Sequence, residues 1–231
     1  MAWRNRALLA SVALAIGGVA VPSPAAAAVI AQQGIHHANS VEGLQLASWV
    51  AASRDNRDLP FIVIDKVAAE VQIFDGQGLL LGVAPALLGI THGDDATPGV
   101  GDKELNEIGP AERTTPAGRF LAQIGPAKGN QRVLWVDFNT SVAMHPVITT
   151  NPKERRLERL QSPTPKDNRI TFGCINVPPD FFRDLVLPSF SEAGGMVYIL
   201  PEQKFLIEVF PAFWLFAPQE PKSVAMAPTS D

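Results

Sequence analysis

The 231-residue chain has one cysteine, Cys174, in the run Ile170-Thr171-Phe172-Gly173-Cys174-Ile175-Asn176. One cysteine excludes an intrachain disulfide, so the thiol is either a small buried hydrophobe or a reactive group. Gly173 has a use beside a nucleophile. Without a Cβ it lets a carbonyl approach the backbone, where the amides of Gly173 and Cys174 could hold an oxyanion. A thiol of pKa ~8.5 is scarcely ionised at neutral pH and needs a basic partner. The histidines are His36, His37, His92 and His145. His145 follows an apolar segment and precedes Pro146, which puts it at a strand end; structural and catalytic roles both remain open for it. His92, in Thr91-His92-Gly93-Asp94-Asp95, is the rival base, or else a pocket-rim or plain turn residue. Neither His92 with Asp94 and His145, nor the adjacent pair His36-His37, has a spacing that fixes a metal's coordination. The signatures Gly-x-Ser-x-Gly, Ser-x-x-Lys and His-Glu-x-x-His are absent.

The elements that must position these groups are short. Ser40 is expected to cap a helix to about Ser53, with Val41, Leu44, Ala47 and Val50 roughly on one face. Residues 61–64 and 71–74 read as strands, the second joined through Asp75-Gly76-Gln77-Gly78 to a third at 79–83. The glycines there open no long helix, which excludes a dinucleotide fold. Further strands are expected at 119–124, 132–138, 141–144, 196–200 and 205–210. Asn151-Pro152-Lys153-Glu154 predicts a helix to about Leu160, and residues 179–185 another, stopped by Pro188. Phe210, Phe213, Trp214 and Phe216 form an aromatic cluster read as core packing, ahead of a loose tail.

Composition narrows the class. Hydrophobic residues make up 46% and the net charge is only −4, which excludes a disordered chain; acids outnumber bases 23 to 19, which excludes a basic nucleic-acid binder. The first 28 residues read as a secretory signal: Arg4 and Arg6, an apolar run over 7–21, then Ala26-Ala27-Ala28. That run is too short for the ~30 Å hydrocarbon core, so no stable membrane insertion is expected after cleavage. Removing it takes the formal charge to −6. The expected organisation is a signal over 1–28, a leader and helix over 29–59, a catalytic domain over 60–210, and an aromatic segment and loose tail over 211–231.

Taken in order, the motifs resemble the L,D-transpeptidase catalytic-domain family of cell-wall enzymes. The carrying residues are His145 followed by Thr171-Phe172-Gly173-Cys174-Ile175-Asn176, the opening hairpin at 61–74, and Thr115-Pro116-Ala117-Gly118-Arg119-Phe120. The resemblance spans roughly residues 60 to 201 of the chain. It implies a mainly β, sandwich-like domain with a few short helices. It also implies Cys174 as nucleophile, His145 as base, the Pro146 carbonyl as its orienting acceptor, and Phe172 and Asn176 beside the substrate. The implied substrate is a peptidoglycan stem peptide, handled without cofactor or metal in the periplasm or cell wall. Two other readings stay open: a wall-peptide hydrolase with the same nucleophile, and a catalytically weak wall-binding module.

Two departures stand out. Phe172 occupies the family's histidine position before Gly-Cys, which is expected to lower the rate or change the acceptor. The 25 residues from Pro146 to Ile170 exceed the family's usual gap. Over 151–169 this insert carries six basic residues against three acidic ones. It is either a solvated helical face or a lid in which Arg155, Arg156 or Arg169 holds a substrate carboxylate.

Overall fold

The computed structural model describes residues 40–214. The expected signal, His36-His37 and the tail beyond Trp214 lie outside the described residues. Helix α1 (Val41–Ser53) starts where expected, because the Ser40 hydroxyl accepts from the Gly43 amide. The strands are β1 (Phe61–Asp65), β2 (Glu70–Phe74), β3 (Leu80–Pro85), β4 (Leu88–Gly89), β5 (Gly118–Pro126), β6 (Arg132–Asp137), β7 (Val142–Pro146), β8 (Arg169–Thr171), β9 (Ile175–Val177) and β10 (Gly195–Ile199). Eight form one sheet in the order β3-β2-β1-β10-β5-β6-β7-β9, while β4 and β8 pair separately.

The long strand β5 makes the sheet a sandwich. Its first half, 118–122, pairs with β10, and its second half, from Gln123 to Pro126, pairs with β6. Ile62, Ile73 and Val197 from one half then share a core with Leu134, Met144 and Ile175 from the other. The mainly β expectation therefore holds. Strand alternation supplies the second layer. Phe61, Val63, Met196 and Tyr198 point the opposite way, onto Leu46, Trp49 and Val50 of α1. Phe61 stacks on Phe74, its partner on β2, with ring centroids 4.8 Å apart.

Three sequence expectations fail locally. Residues 205–210 are helical, not a strand: α5 (Leu206–Val209) is followed by α6 (Pro211–Trp214). Leu206, Val209, Phe210 and Phe213 are spaced at helical intervals and pack on the α1 layer, so the aromatic reading holds for Phe210 and Phe213. The helix expected over 151–160 breaks at Arg155, whose φ is +49°, separating a 3₁₀ turn (Pro152–Glu154) from α2 (Arg156–Leu160). Pro188 does not stop its helix. α3 (Pro179–Phe181) continues through a π turn (Phe182–Val186) into α4 (Leu187–Phe190). The wider π turn loosens the coil just where the proline ring would press on the preceding carbonyl.

Candidate active site

Parallel pairing of β7 with β9 sets the site. Met144 lies opposite Ile175 and His145 opposite Asn176. Met144 and Ile175 point into the core, so alternation sends His145 and Asn176 to the outer face. Cys174 stands two residues before Asn176, in the loop that enters β9, and continued alternation would direct it to the same face. His145 is thus displaced from the level of Cys174 by two residues of strand, about 7 Å.

The loop carrying the thiol is held from both sides. The buried Thr115 hydroxyl donates to the Gly173 carbonyl at 2.8 Å and accepts from the Gly89 amide at 2.9 Å. This gives the Thr-Pro-x-Gly segment its physical purpose. Thr171 Oγ1 donates to the Cys174 carbonyl at 2.6 Å and accepts from the Gly173 amide at 3.2 Å. The Gly173 N–H is therefore engaged inside the loop, not open as an oxyanion donor. Glycine is required there for another reason: φ is +127°, and a Cβ would sit 2.8 Å from the Thr114 carbonyl oxygen.

The Cys174 thiol is half-buried and donates to the Ser141 carbonyl at 3.7 Å. Burial pushes its pKa up, against the opposing pull of the Ala143 amide and the Arg156 charge. Burial pulls the His145 pKa down; its hydrogen bond to Pro146 opposes that, and the Arg156 charge adds to it. Both shifts favour the neutral forms, thiol and imidazole. His145 Nδ1 lies 2.9 Å from the Pro146 carbonyl oxygen, and Nε2 lies 3.1 Å from Asn176 Nδ2. Among the described residues, no hydrogen bond joins Cys174 directly to His145.

The three arginines of the insert separate. Arg155 is on the surface, paired with Glu158, and its side chain is 70% exposed. Arg156 is mostly buried and reaches the site. Its Nε donates to Glu154 at 2.5 Å and its Nη1 to Asn176 Oδ1 at 2.7 Å. Arg169 lies under the domain rather than in a lid, donating to the Lys66 carbonyl at 2.7 Å and to Glu202 at 2.6 Å. Both terminal nitrogens of Arg169 are already engaged, by Glu202 and by the Gly89 and Lys66 carbonyls, so the expectation that Arg169 holds substrate is corrected. The insert itself rests on a small core of Leu87, Val147 and Leu160.

His92 belongs with Arg169. Its Nδ1 meets Glu202 at 2.7 Å, and its exposed ring makes no contact of hydrogen-bond length with the thiol. Glu202, Arg169, Lys66 and Asp94 form a buried charge network whose side chains are all at most 6% exposed. Lys66 Nζ donates to Asp94 at 2.7 Å and to the Thr115 carbonyl at 3.1 Å, so the network continues through Thr115 to Gly173. Burial draws the Lys66 pKa down against the pull of Asp94 and Glu202. Burial also works against the Asp94 carboxylate, but Lys66 and the amides of Lys204, Glu202 and Gln203 outweigh it and hold its pKa at about 2. Sequence reasoning assigned no role to Lys66, although it lies in the opening hairpin, or to Glu202, which lies in no motif; Asp94 was weighed only as a metal ligand beside His92 and His145. It also missed Arg113, whose guanidinium lies 3.8 Å over the Phe172 ring while donating to the Ile108 carbonyl. Phe172 is thus a packing partner for the 108–114 segment.

Among the described residues no group of three or more His, Cys, Asp or Glu could hold a metal ion, and no helix is long and apolar enough to cross a membrane. No family model and no curated protein matches the sequence. Solved structures are similar at low identity, among them three L,D-transpeptidases. The L,D-transpeptidase from Xylanimonas cellulosilytica is 14% identical over 61% of this chain and 60% of that one, with a TM-score of 0.37. Mycobacterium tuberculosis L,D-transpeptidase 1 is 16% identical over 61% of each chain, with a TM-score of 0.34. The catalytic domain from E. faecium L,D-transpeptidase is 15% identical over 62% of this chain and 98% of that one, with a TM-score of 0.36. The chain therefore spans about three fifths of the length of the first two.

Proposed function

We propose that this chain is an exported peptidoglycan L,D-transpeptidase with Cys174 as nucleophile and His145 as base. The observation that carries the reading is the sharing of one sheet face by the chain's single thiol and a histidine whose Nδ1 is oriented by the Pro146 carbonyl. That arrangement has the parts of an acyl-transfer site: a nucleophile, a base, and a group that orients the base.

In the proposed reaction, Cys174 Sγ attacks the carbonyl joining the third residue of a stem tetrapeptide to its terminal D-Ala. His145 accepts the thiol proton and returns it to the leaving amine, so D-Ala departs and a thioester remains. An amine of a neighbouring stem then attacks the thioester, loses a proton to His145, and restores the thiol as the 3–3 cross-link forms. Of the three insert arginines, Arg156 is the one proposed to meet a substrate carboxylate. Among the described residues its Nη2 has no hydrogen-bond partner, and its charge acts on both Cys174 and His145.

A second reading, the catalytically weak wall-binding module, is favoured by the lack of a direct bond between thiol and imidazole. One experiment separates them. Parent and Cys174→Ala proteins are incubated with isolated peptidoglycan, and the products are read by mass spectrometry. The transpeptidase reading expects 3–3 linked dimers and free D-Ala from the parent and neither from the variant. Free D-Ala with shortened, uncross-linked stems would assign a hydrolase. No release by the parent, or equal release by the variant, would sink the reading.

A further inference from the structure

Arg156 bears on more than substrate. Asn176 is wholly buried and offers two faces: Oδ1 accepts from Arg156 Nη1 at 2.7 Å, and Nδ2 lies 3.1 Å from His145 Nε2. A side-chain amide can be turned end for end, but a guanidinium has donors only. The oxygen must therefore face Arg156, and the NH₂ must face His145. An NH₂ needs an acceptor, so Nε2 carries the lone pair and Nδ1 carries the proton, donated to the Pro146 carbonyl at 2.9 Å. Glu154 fixes the guanidinium from behind at 2.5 Å.

We infer that Arg156 is a positioning residue, which through Asn176 holds His145 as the Nδ1–H tautomer with Nε2 ready to accept a proton. An imidazolium would set Nε2–H against the Asn176 NH₂, so the clamp also opposes premature protonation. Transfer from Cys174 then requires that Asn176 swing off Nε2, not that the ring exchange tautomers. The insert supplies this group; neither β7 nor β9 carries it. The charged and titratable groups facing His145 are Arg156 from the insert, backed by Glu154, and Cys174 from the loop before β9. The clamp's place in catalysis rests on His145 being the base, but its existence does not, because ring tautomer and titration are read without substrate.

The test combines two titrations of the full chain. Long-range ¹⁵N–¹H spectra report the tautomer and titration midpoint of His145, assigned by its loss in His145→Gln. The pH dependence of iodoacetamide alkylation reports the midpoint of the only cysteine. The parent is expected to show the Nδ1–H tautomer. The Arg156 charge lowers both groups, so Arg156→Met is expected to raise both midpoints. Mere loosening acts differently: water entering the site would raise the His145 midpoint and lower that of Cys174, since burial moves them apart. Leu160→Ala loosens the insert without touching Arg156 and is expected to show that opposite pattern or no shift. Arg156→Lys, which keeps the charge, is expected to hold the Cys174 midpoint near the parent's. An Nε2–H tautomer in the parent overturns the clamp, and that measurement needs no variant. Opposite movement of the two midpoints in Arg156→Met, or none, overturns it as well.

Discussion

Asp94→Asn tests whether the buried charge network supports the thiol loop. The substitution keeps the shape of the side chain but removes its charge and one of its acceptors. Asp94 accepts from Lys66 Nζ at 2.7 Å and from the amides of Glu202, Gln203 and Lys204 at 2.8, 2.8 and 2.6 Å. Its folded pKa of about 2, against 3.8 unperturbed, corresponds to roughly 2 kcal/mol of stability at neutral pH. Solvent screening barely reduces this, because the carboxylate is 1% exposed. Loss of the partner also strands Lys66, whose side chain is wholly buried. Breaking a buried pair usually costs about 3–5 kcal/mol. Lys66 retains the Gly93 and Thr115 carbonyls and the Glu202 carboxylate at 3.6 Å, so the lower end, about 3 kcal/mol, is expected. The sign with pH follows from the depressed pKa. The stabilisation is complete above the unfolded carboxylate's pKa and is lost as pH falls through about 2. Urea unfolding at a series of pH values should therefore show parent and variant far apart at pH 7 and converging toward pH 2, with unchanged m-values. A gap below about 1 kcal/mol at pH 7, or one that stays constant with pH, would refute the electrostatic account.

Gly173→Ala should destabilise the chain by about 1–3 kcal/mol, the usual cost of a strained backbone, and slow alkylation of Cys174. A variant as stable as the parent would mean that the loop can turn away from Thr114. His145→Ala should reduce D-Ala release by roughly 10²–10⁴, the usual contribution of a general base. His92→Ala should have little effect, since His92 contacts Glu202 and is 57% exposed. Reversed effects in steady-state assays would exchange the two histidines.

Much of the fold was legible because strand signals are local. The runs 61–64, 71–74 and 132–138 carry β-branched and aromatic residues between turn residues, and they became strands within a residue or two. The helical spacing of Leu206, Val209, Phe210 and Phe213 was equally present. A six-residue segment with five apolar residues does not by itself distinguish strand from helix, so the strand expectation at 205–210 fails. The sequence also singles out Cys174 as the one thiol and points to His145 and Pro146 by motif. What it could not supply was the partner of each charge. Arg155, Arg156 and Arg169 are equivalent as residue types, yet one lies on the surface, one clamps Asn176 and one is buried against Glu202. Glu202 and Arg169 are 33 residues apart, and Lys66 and Asp94 are 28 apart. Which charges meet across such separations depends on strand order and on the bend at β5, both of them products of long-range packing. Residue type and spacing named the groups able to do chemistry; only the tertiary structure decided which face each shares, because contact between distant segments is a property of the whole sheet.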